Sequence, residues 1–293
     1  VRMCWLTAPC VSASASAARV KLCSRTAVSN ARSVCSGGRW MRRMRVLVTL
    51  MFEHDNSSFA AGRHAFLHSV PSSTAPSGPT TMNAYRLYLS PGACSLAVHI
   101  ALEETGAPFD VEIVSLQKQQ NLEARYLAIN AKARVPVLAI PGEPHVLTET
   151  PAILTYLARR YPDAQLLPLG DPLREARCHE WLAWLVGWVH GVGYGALWRP
   201  GRFIGDPALH SEVSAHGRRT IEAANEAIEA ALADRRTWAE PGAHSIVDPF
   251  LFVLYRWGVA IGLDMTRHPA WTAHAQREAE RPAARRALAR EAA

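Results

Sequence analysis

Acidic residues are nearly missing from the first 81 positions: of the chain's 25 Asp and Glu only Glu53 and Asp55 fall there, against ten of its 32 Lys and Arg. The other 212 of the 293 residues carry 22 basic and 23 acidic side chains, so the body is close to neutral. The sequence pI of about 9.3 therefore belongs to the leading segment. No basic cluster shows in the body, which argues against a nucleic-acid-binding reading. Cysteine is scarce as well. Cys4, Cys10, Cys23 and Cys35 lie in the leading segment without metal-like spacing, and only Cys94 and Cys178 remain beyond it. Two thiols in a body of that size make no secreted disulfide framework, so a reducing cytoplasm is the expected setting, with no metal. Long apolar runs are lacking too: the stretch from Val46 to Phe52 is far short of the roughly 18–20 residues needed to cross a bilayer, so no membrane partner is expected.

The leading segment, residues 1–81, is rich in Ser, Ala and Arg and closes on the turn-forming run "SVPSSTAPSGPTT". Such composition buries too little to offset the entropy of ordering and reads as a disordered extension. Its Arg-rich, acid-poor character superficially resembles a transit peptide, and Arg42-Arg43 before the short apolar run an export signal, both weakly. The preferred reading is that the segment reflects an upstream start site and that the chain proper begins at Met82, which the initial Val1 fits.

Beyond it, "YRLYLS" (85–90) alternates like a strand, Pro91-Gly92 breaks it, and "CSLAVHIALEETG" (94–106) has helical spacing before a glycine stop. "PFDVEIVSL" (108–116) reads as a second strand, "NLEARYLAI" (121–129) as a polar helix, "VPVLAI" (135–140) and "HVLTE" (145–149) as short strands, and "TPAILTYLARRY" (150–161) as a helix. This is a small α/β layer on one sheet, over residues 82–163. After a Pro-punctuated linker the remainder, residues 164–293, reads as helices only: 173–198, 211–234, 246–262 and shorter ones near 270–292.

Three places carry chemistry. Cys94 stands where the first strand turns into a helix, with Ser95 beside it. The helix's unpaired N–H groups and macrodipole favour an anion there, which would lower the thiol's pKa or hold a ligand's thiolate. A small buried cysteine is the plainer alternative. Pro136 opens a short strand. If the Val135–Pro136 bond is cis, the bend presents the Val135 backbone to an extended, peptide-like ligand. Glu149 and Thr150 precede a helix with Pro151 in its first turn, a corner able to hold a carboxylate and an ammonium group, or simply an N-cap.

In this order and spacing, "SPGACSL", "RVPVL", "LTETPAILTYLARRYP" and "HSIVDPFLFVLYRW" resemble the glutathione transferases, specifically the bacterial beta class, over essentially all of 82–293. The resemblance implies a thioredoxin-like N-terminal domain plus an all-α C-terminal domain, glutathione as co-substrate, a small electrophile as second substrate, and a homodimer. Cys94 is implied as the catalytic cysteine, with Ser95 the other candidate to meet the sulfur and His190 the active-site histidine. Glutathione is implied to contact Ala93, Lys118, Arg134, Val135, Pro136, Glu149 and Thr150. Conjugation is the expected reaction and thiol–disulfide exchange through Cys94 a second. An isomerase, dehalogenase or ether-cleaving lyase on the same scaffold, or a non-catalytic binding module, is the alternative.

Ser245 and Asp248 form a capping box by spacing, which makes Asp248 structural. On the long helix, Trp181, Trp184 and Trp188 form one stripe, read as core or dimer contact. Ala183, Gly187 and His190 form another, whose small residues would leave room for a ligand. The sequence departs from the class at Leu89, in place of a tyrosine, and at Gly191, in place of a lysine. Ala183 and Gly187 stand in place of polar residues.

Overall fold

The alternating stretch from Tyr85 becomes strand β1 (Tyr85–Leu89), which feeds two apolar layers. Tyr85, Leu87 and Leu89 enter the main core, while Tyr88 joins Val114, Tyr126, Val135 and Val137 on the sheet's other face, as the two-residue period of a strand requires. The computed structural model describes residues 84–234 and 236–292. The leading segment 1–81, expected to be a disordered extension, lies outside the described residues.

Helix α1 (Ser95–Thr105) stops at Gly106, whose φ of 66° is the left-handed cap that a side chain would disfavour. The helix is the crossover that lets β2 (Phe109–Ile113) lie parallel to β1. The stretch 121–129, expected as one helix, is divided: a 3₁₀ turn (Gln120–Leu122) and α2 (Ala124–Leu127) are separated by Glu123 in extended geometry. Strands β3 (Val137–Ala139) and β4 (Leu147–Thr148) complete a sheet of order β2-β1-β3-β4, with β3 antiparallel to β1 and β4 antiparallel to β3. Helix α3 (Thr150–Arg160) then packs beside α1.

The helical half begins with α4 (Pro172–Trp184), capped by the Asp171 carboxylate accepting the N–H groups of Leu173 and Arg174 at 3.2 and 3.1 Å. The rod continues as a π-helical stretch (Leu185–Tyr194) and a short α5 (Gly195–Trp198). Helices α6 (His210–Leu232), α7 (Asp248–Ala260), α8 (Pro269–Glu280) and α9 (Pro282–Ala292) follow. One apolar core runs from Leu96 and Ile100 of α1 through Phe250 and Leu254 of α7 to Trp271 of α8. Every residue of α1 from Ser95 to Glu103 is buried, because the helix has the sheet on one side and the helical half on the other.

The capping box forms. Asp248 accepts the Ser245 N–H at 2.7 Å and its hydroxyl at 3.0 Å, while Ser245 Oγ accepts from Val247 N–H at 3.3 Å. The other Asp248 oxygen takes the Ala239 N–H and His274 Nε2, each at 2.7 Å. Burial works to raise its pKa, but the hydrogen bond from His274 and the charges of His244 and His274 win and hold the carboxyl below its usual range. Asp248 is thus a fully buried structural anion.

Candidate functional site

A cleft of about 1320 Å³ separates the α/β half from the helical half. Ala93, Cys94, Lys118, Arg134, Val135, Pro136, Glu149, Thr150 and His190 all line it. Ser95 does not. It is fully buried, its hydroxyl donating to Ser90 O at 3.1 Å and accepting from Ser90 N–H at 3.2 Å. The expectation that Ser95 could meet a ligand's sulfur is therefore corrected: its Oγ is consumed in bracing the turn that carries its neighbour.

Cys94 occupies the cap position of α1 and is 8% exposed, with its S–H donating to the Val135 carbonyl at 3.6 Å. Burial pushes the thiol up to about 11, although the Thr150 hydroxyl, the cysteine's own amide, Arg199 and Arg134 all pull it down. This runs opposite to the expected lowering of the Cys94 pKa, because desolvation of the sulfur outweighs the helix end and its donors. The loop before it is held from the helical half. Gly92, at φ 75°, donates its N–H to Glu291 Oε2 at 3.0 Å, and its carbonyl accepts from Trp257 Nε1 at 2.8 Å. Glu291 is itself nearly buried, and its other oxygen meets the fully buried His99 at 3.2 Å. The last helix of the chain thus fixes the loop that presents the thiol.

The Val135–Pro136 peptide is cis. The carbonyl before it, Arg134 O, is held by Tyr126 Oη at 2.7 Å and Asn130 Nδ2 at 2.8 Å, so the bend is fixed by side chains of and beside α2. Glu149 has φ 69°, a left-handed conformation costly for a side chain and found where a site requires it. Its carboxylate pairs with Lys132 Nζ at 2.8 Å. Thr150 is the first residue of α3 and lines the cleft, with its hydroxyl beside the Cys94 sulfur.

On the helical side, the expected stripe of Ala183, Gly187 and His190 does not form a wall. Ala183 and Gly187 are exposed and do not line the cleft. A π-helix bonds i to i+5 and turns more slowly than the 3.6-residue period assumed from the sequence, so residues four apart share the cleft face: Val186, His190, Tyr194 and Trp198. The same register puts Trp188 outside at 51% exposure rather than in the core, while Trp181 and Trp184 pack edge-on at 5.8 Å. His190 meets Trp257 edge-on at 4.9 Å. Burial first, then Arg199, Arg134 and Arg202, hold its pKa down at about 4, so the imidazole is neutral at physiological pH. Gly191 leaves little room for a larger residue, since a Cβ there would lie 3.1 Å from Val186 O. Leu89 is fully buried in the core.

Arg199, Arg202, Tyr194, Trp198, Phe203 and Trp257 line the cleft and were not singled out by the sequence. Trp257 sits in the apolar run after the capping box and looks like packing. Trp198 and Arg199 follow a π register that leaves no mark in residue types. Among the described residues, no group of three or more His, Cys, Asp or Glu is placed to hold a metal ion, and no helix is long and apolar enough to cross a membrane.

A sheet with a cis-proline edge, a thiol at the start of its first helix and an appended helical half belongs to the class of proteins that bind a peptide-like thiol in a thioredoxin-like domain. Residues 92–160 match the family model of the glutathione S-transferase N-terminal domain. Over 207 residues the chain is 34% identical to glutathione S-transferase GstA of Escherichia coli O157:H7, covering 70% of this chain and 98% of the relative. Among solved structures, a glutathione transferase homolog from Sulfitobacter with bound glutathione is 30% identical with a TM-score of 0.67, over 71% of this chain and 99% of its own. The bacterial beta class enzyme of Sphingomonas chungbukensis is 33% identical with a TM-score of 0.62, over 70% and 98%. The chain belongs to the glutathione S-transferase family, on its bacterial side, and is a glutathione transferase.

Proposed function

We propose that glutathione lies along the α/β side of the cleft, its backbone pairing with Val135, its γ-glutamyl end at Glu149 and Thr150, its glycine end near Lys118 and Arg134, and its sulfur at Cys94. The observation that carries this reading is at Val135. Its N–H meets no acceptor among the described residues, and its carbonyl takes only the long S–H contact of Cys94. A backbone donor and acceptor beside a thiol suit an extended peptide ligand added as a strand. Residues 82–163 then form the glutathione-binding domain and 164–293 the domain that faces the electrophile.

Because the Cys94 thiol is protonated at neutral pH, its role is that of a hydrogen-bond donor. A ligand N–H that engages Val135 O frees the Cys94 S–H to turn toward the glutathione sulfur and stabilise it as a thiolate, together with the amides and dipole at the start of α1. Neutral His190 offers a ring nitrogen to the same region. The thiolate attacks an electrophilic carbon, forming C–S as the leaving group departs. Thiol–disulfide exchange through Cys94 is the weaker reading, because little of its thiolate exists at neutral pH. A cytoplasmic homodimer completes the proposal, with the exposed Trp188 as apolar surface for the second copy to cover. Sedimentation equilibrium tests that part.

The test is calorimetry with glutathione and steady-state conjugation of 1-chloro-2,4-dinitrobenzene. Cys94→Ala is expected to keep glutathione binding and lose about 100-fold in kcat, the low end for one deleted thiolate donor. Wild-type protein that fails to bind glutathione would sink the reading.

A further inference from the structure

The charges lining the cleft are unbalanced. Lys118, Arg134, Arg199 and Arg202 face it, and Glu149 is the one acid among its described lining residues, already paired with Lys132 at 2.8 Å. Several arginines elsewhere have acid partners: Arg281 meets Glu104, Arg286 meets Glu103 and Arg174 meets Glu240. The side chains of Arg199 and Arg202 meet no acid, hydrogen-bond acceptor or aromatic face among the described residues. They come from the turn after α5, on the helical side, away from the Val135 strand. Each lies close enough to the other, and to Arg134 and His190, to oppose further positive charge there. Glutathione, with two carboxylates and one ammonium, balances only part of this excess, and its ends are accounted for on the α/β side. Beside the two guanidiniums stand flat apolar surfaces: Trp198, 44% exposed and 5.0 Å edge-on from Trp257, and Phe203, 48% exposed.

Building on the proposed glutathione pose, we infer that Arg199 and Arg202 are specificity-determining residues that select electrophiles carrying a carboxylate or sulfonate on an aromatic frame. The frame lies against Trp198 and Phe203, and the anionic group meets the guanidiniums, which suit planar oxyanions through paired N–H donors. The bound anion also relieves the repulsion among the three arginines. In the reaction read out below, the glutathione thiolate forms C–S at the ring carbon, the C–Cl bond breaks, and chloride leaves with the electron pair.

Matched electrophiles test this: 4-chloro-3,5-dinitrobenzoate against neutral 1-chloro-2,4-dinitrobenzene, each kcat/KM divided by the uncatalysed rate with glutathione. Wild type should favour the benzoate about tenfold, R199Q/R202Q should abolish that ratio, and R199K/R202K should keep part of it, as expected for two partly solvated charge contacts. Calorimetry with glutathione alone should give a Kd within about twofold of wild type for R199Q/R202Q. Wild type that favours the neutral substrate, or a ratio unmoved by R199Q/R202Q, overturns the inference. A glutathione Kd weakened in R199Q/R202Q assigns the arginines to glutathione and overturns it too. If wild type binds no glutathione, the pose itself fails. The anion wall is then read from calorimetry with 3,5-dinitrobenzoate, where binding lost in R199Q/R202Q sustains it and binding unchanged overturns it.

Discussion

The two sides of the cleft are built by opposite means. On the α/β side the reactive surface is largely main chain and short side chains, namely the Val135 backbone, the Thr150 hydroxyl and the Cys94 thiol. The segments that carry Cys94 and Val135 are fixed by hydrogen bonds from elsewhere, with Trp257 and Glu291 holding Gly92 and with Tyr126 and Asn130 holding Arg134 O. On the helical side it is long side chains on a π-helical rod and the turn beyond it, with Arg199 and Arg202 meeting no acid among the described residues. A surface of backbone atoms suits a constant co-substrate, whereas a surface of side chains can change with the second substrate while the fold stands.

The largest effect is expected where the helical half has its own buried anion. Asp248→Ala strands His274 and the Ala239 amide and should cost about 3–5 kcal/mol in urea denaturation. If instead it costs under 1 kcal/mol, the network adds little to holding the helical half. Next is the close approach of α6 to the π stretch. A Cβ on Gly217 would lie 2.6 Å from Leu197 N and 2.7 Å from Gly193 O, both backbone. Gly217→Ala should cost about 3 kcal/mol and lower conjugation with it.

Smaller, and aimed at the seam between the sides, is Glu291→Ala. It leaves the Gly92 N–H and His99 unpaired at about 2 kcal/mol. Freed of this tether, the loop should expose Cys94 and speed its alkylation by iodoacetamide, counted against Cys94→Ala so that Cys178 and the four cysteines of the leading segment cancel. Unchanged alkylation would show that Trp257 alone holds the loop. In the wild type, alkylation should climb with pH through about 11, where the raised thiol ionises.

The effect that vanishes at neutral pH concerns His190. Its folded pKa of about 4 lies below the ordinary 6.5, so between these values the unfolded chain binds a proton that the folded chain does not. Stability should therefore fall as pH drops from 6.5 to 4 and be unaffected by this residue above that window. His190→Gln should flatten part of that slope, and an unchanged slope would place the acid sensitivity elsewhere.

Much of the α/β half was legible in residue order, since the alternation at 85–89, the glycine stop at 106 and the proline at 136 each act within a few neighbours. The capping box was legible for the same reason. The helical wall was not. Its π turns change which residues share a face, so the small-residue stripe was misplaced and Tyr194, Trp198 and Arg199 went unnoticed. The ionisation of Cys94 was misjudged because helix-end position is local, whereas burial depends on what Val135, Thr150 and the helical half place over the sulfur.

Sequence by itself determined most of the strand and helix order, the proline at the corner before β3, the buried cap at Asp248 and the family resemblance, because local sterics, capping and patterning need only near neighbours. The tertiary structure decided that Cys94 stays protonated, that Ser95 faces inward, and that Arg134, Arg199 and Arg202 share one cleft with Trp257. Desolvation and charge proximity are set by segments far apart in the chain, and folding alone brings those segments together.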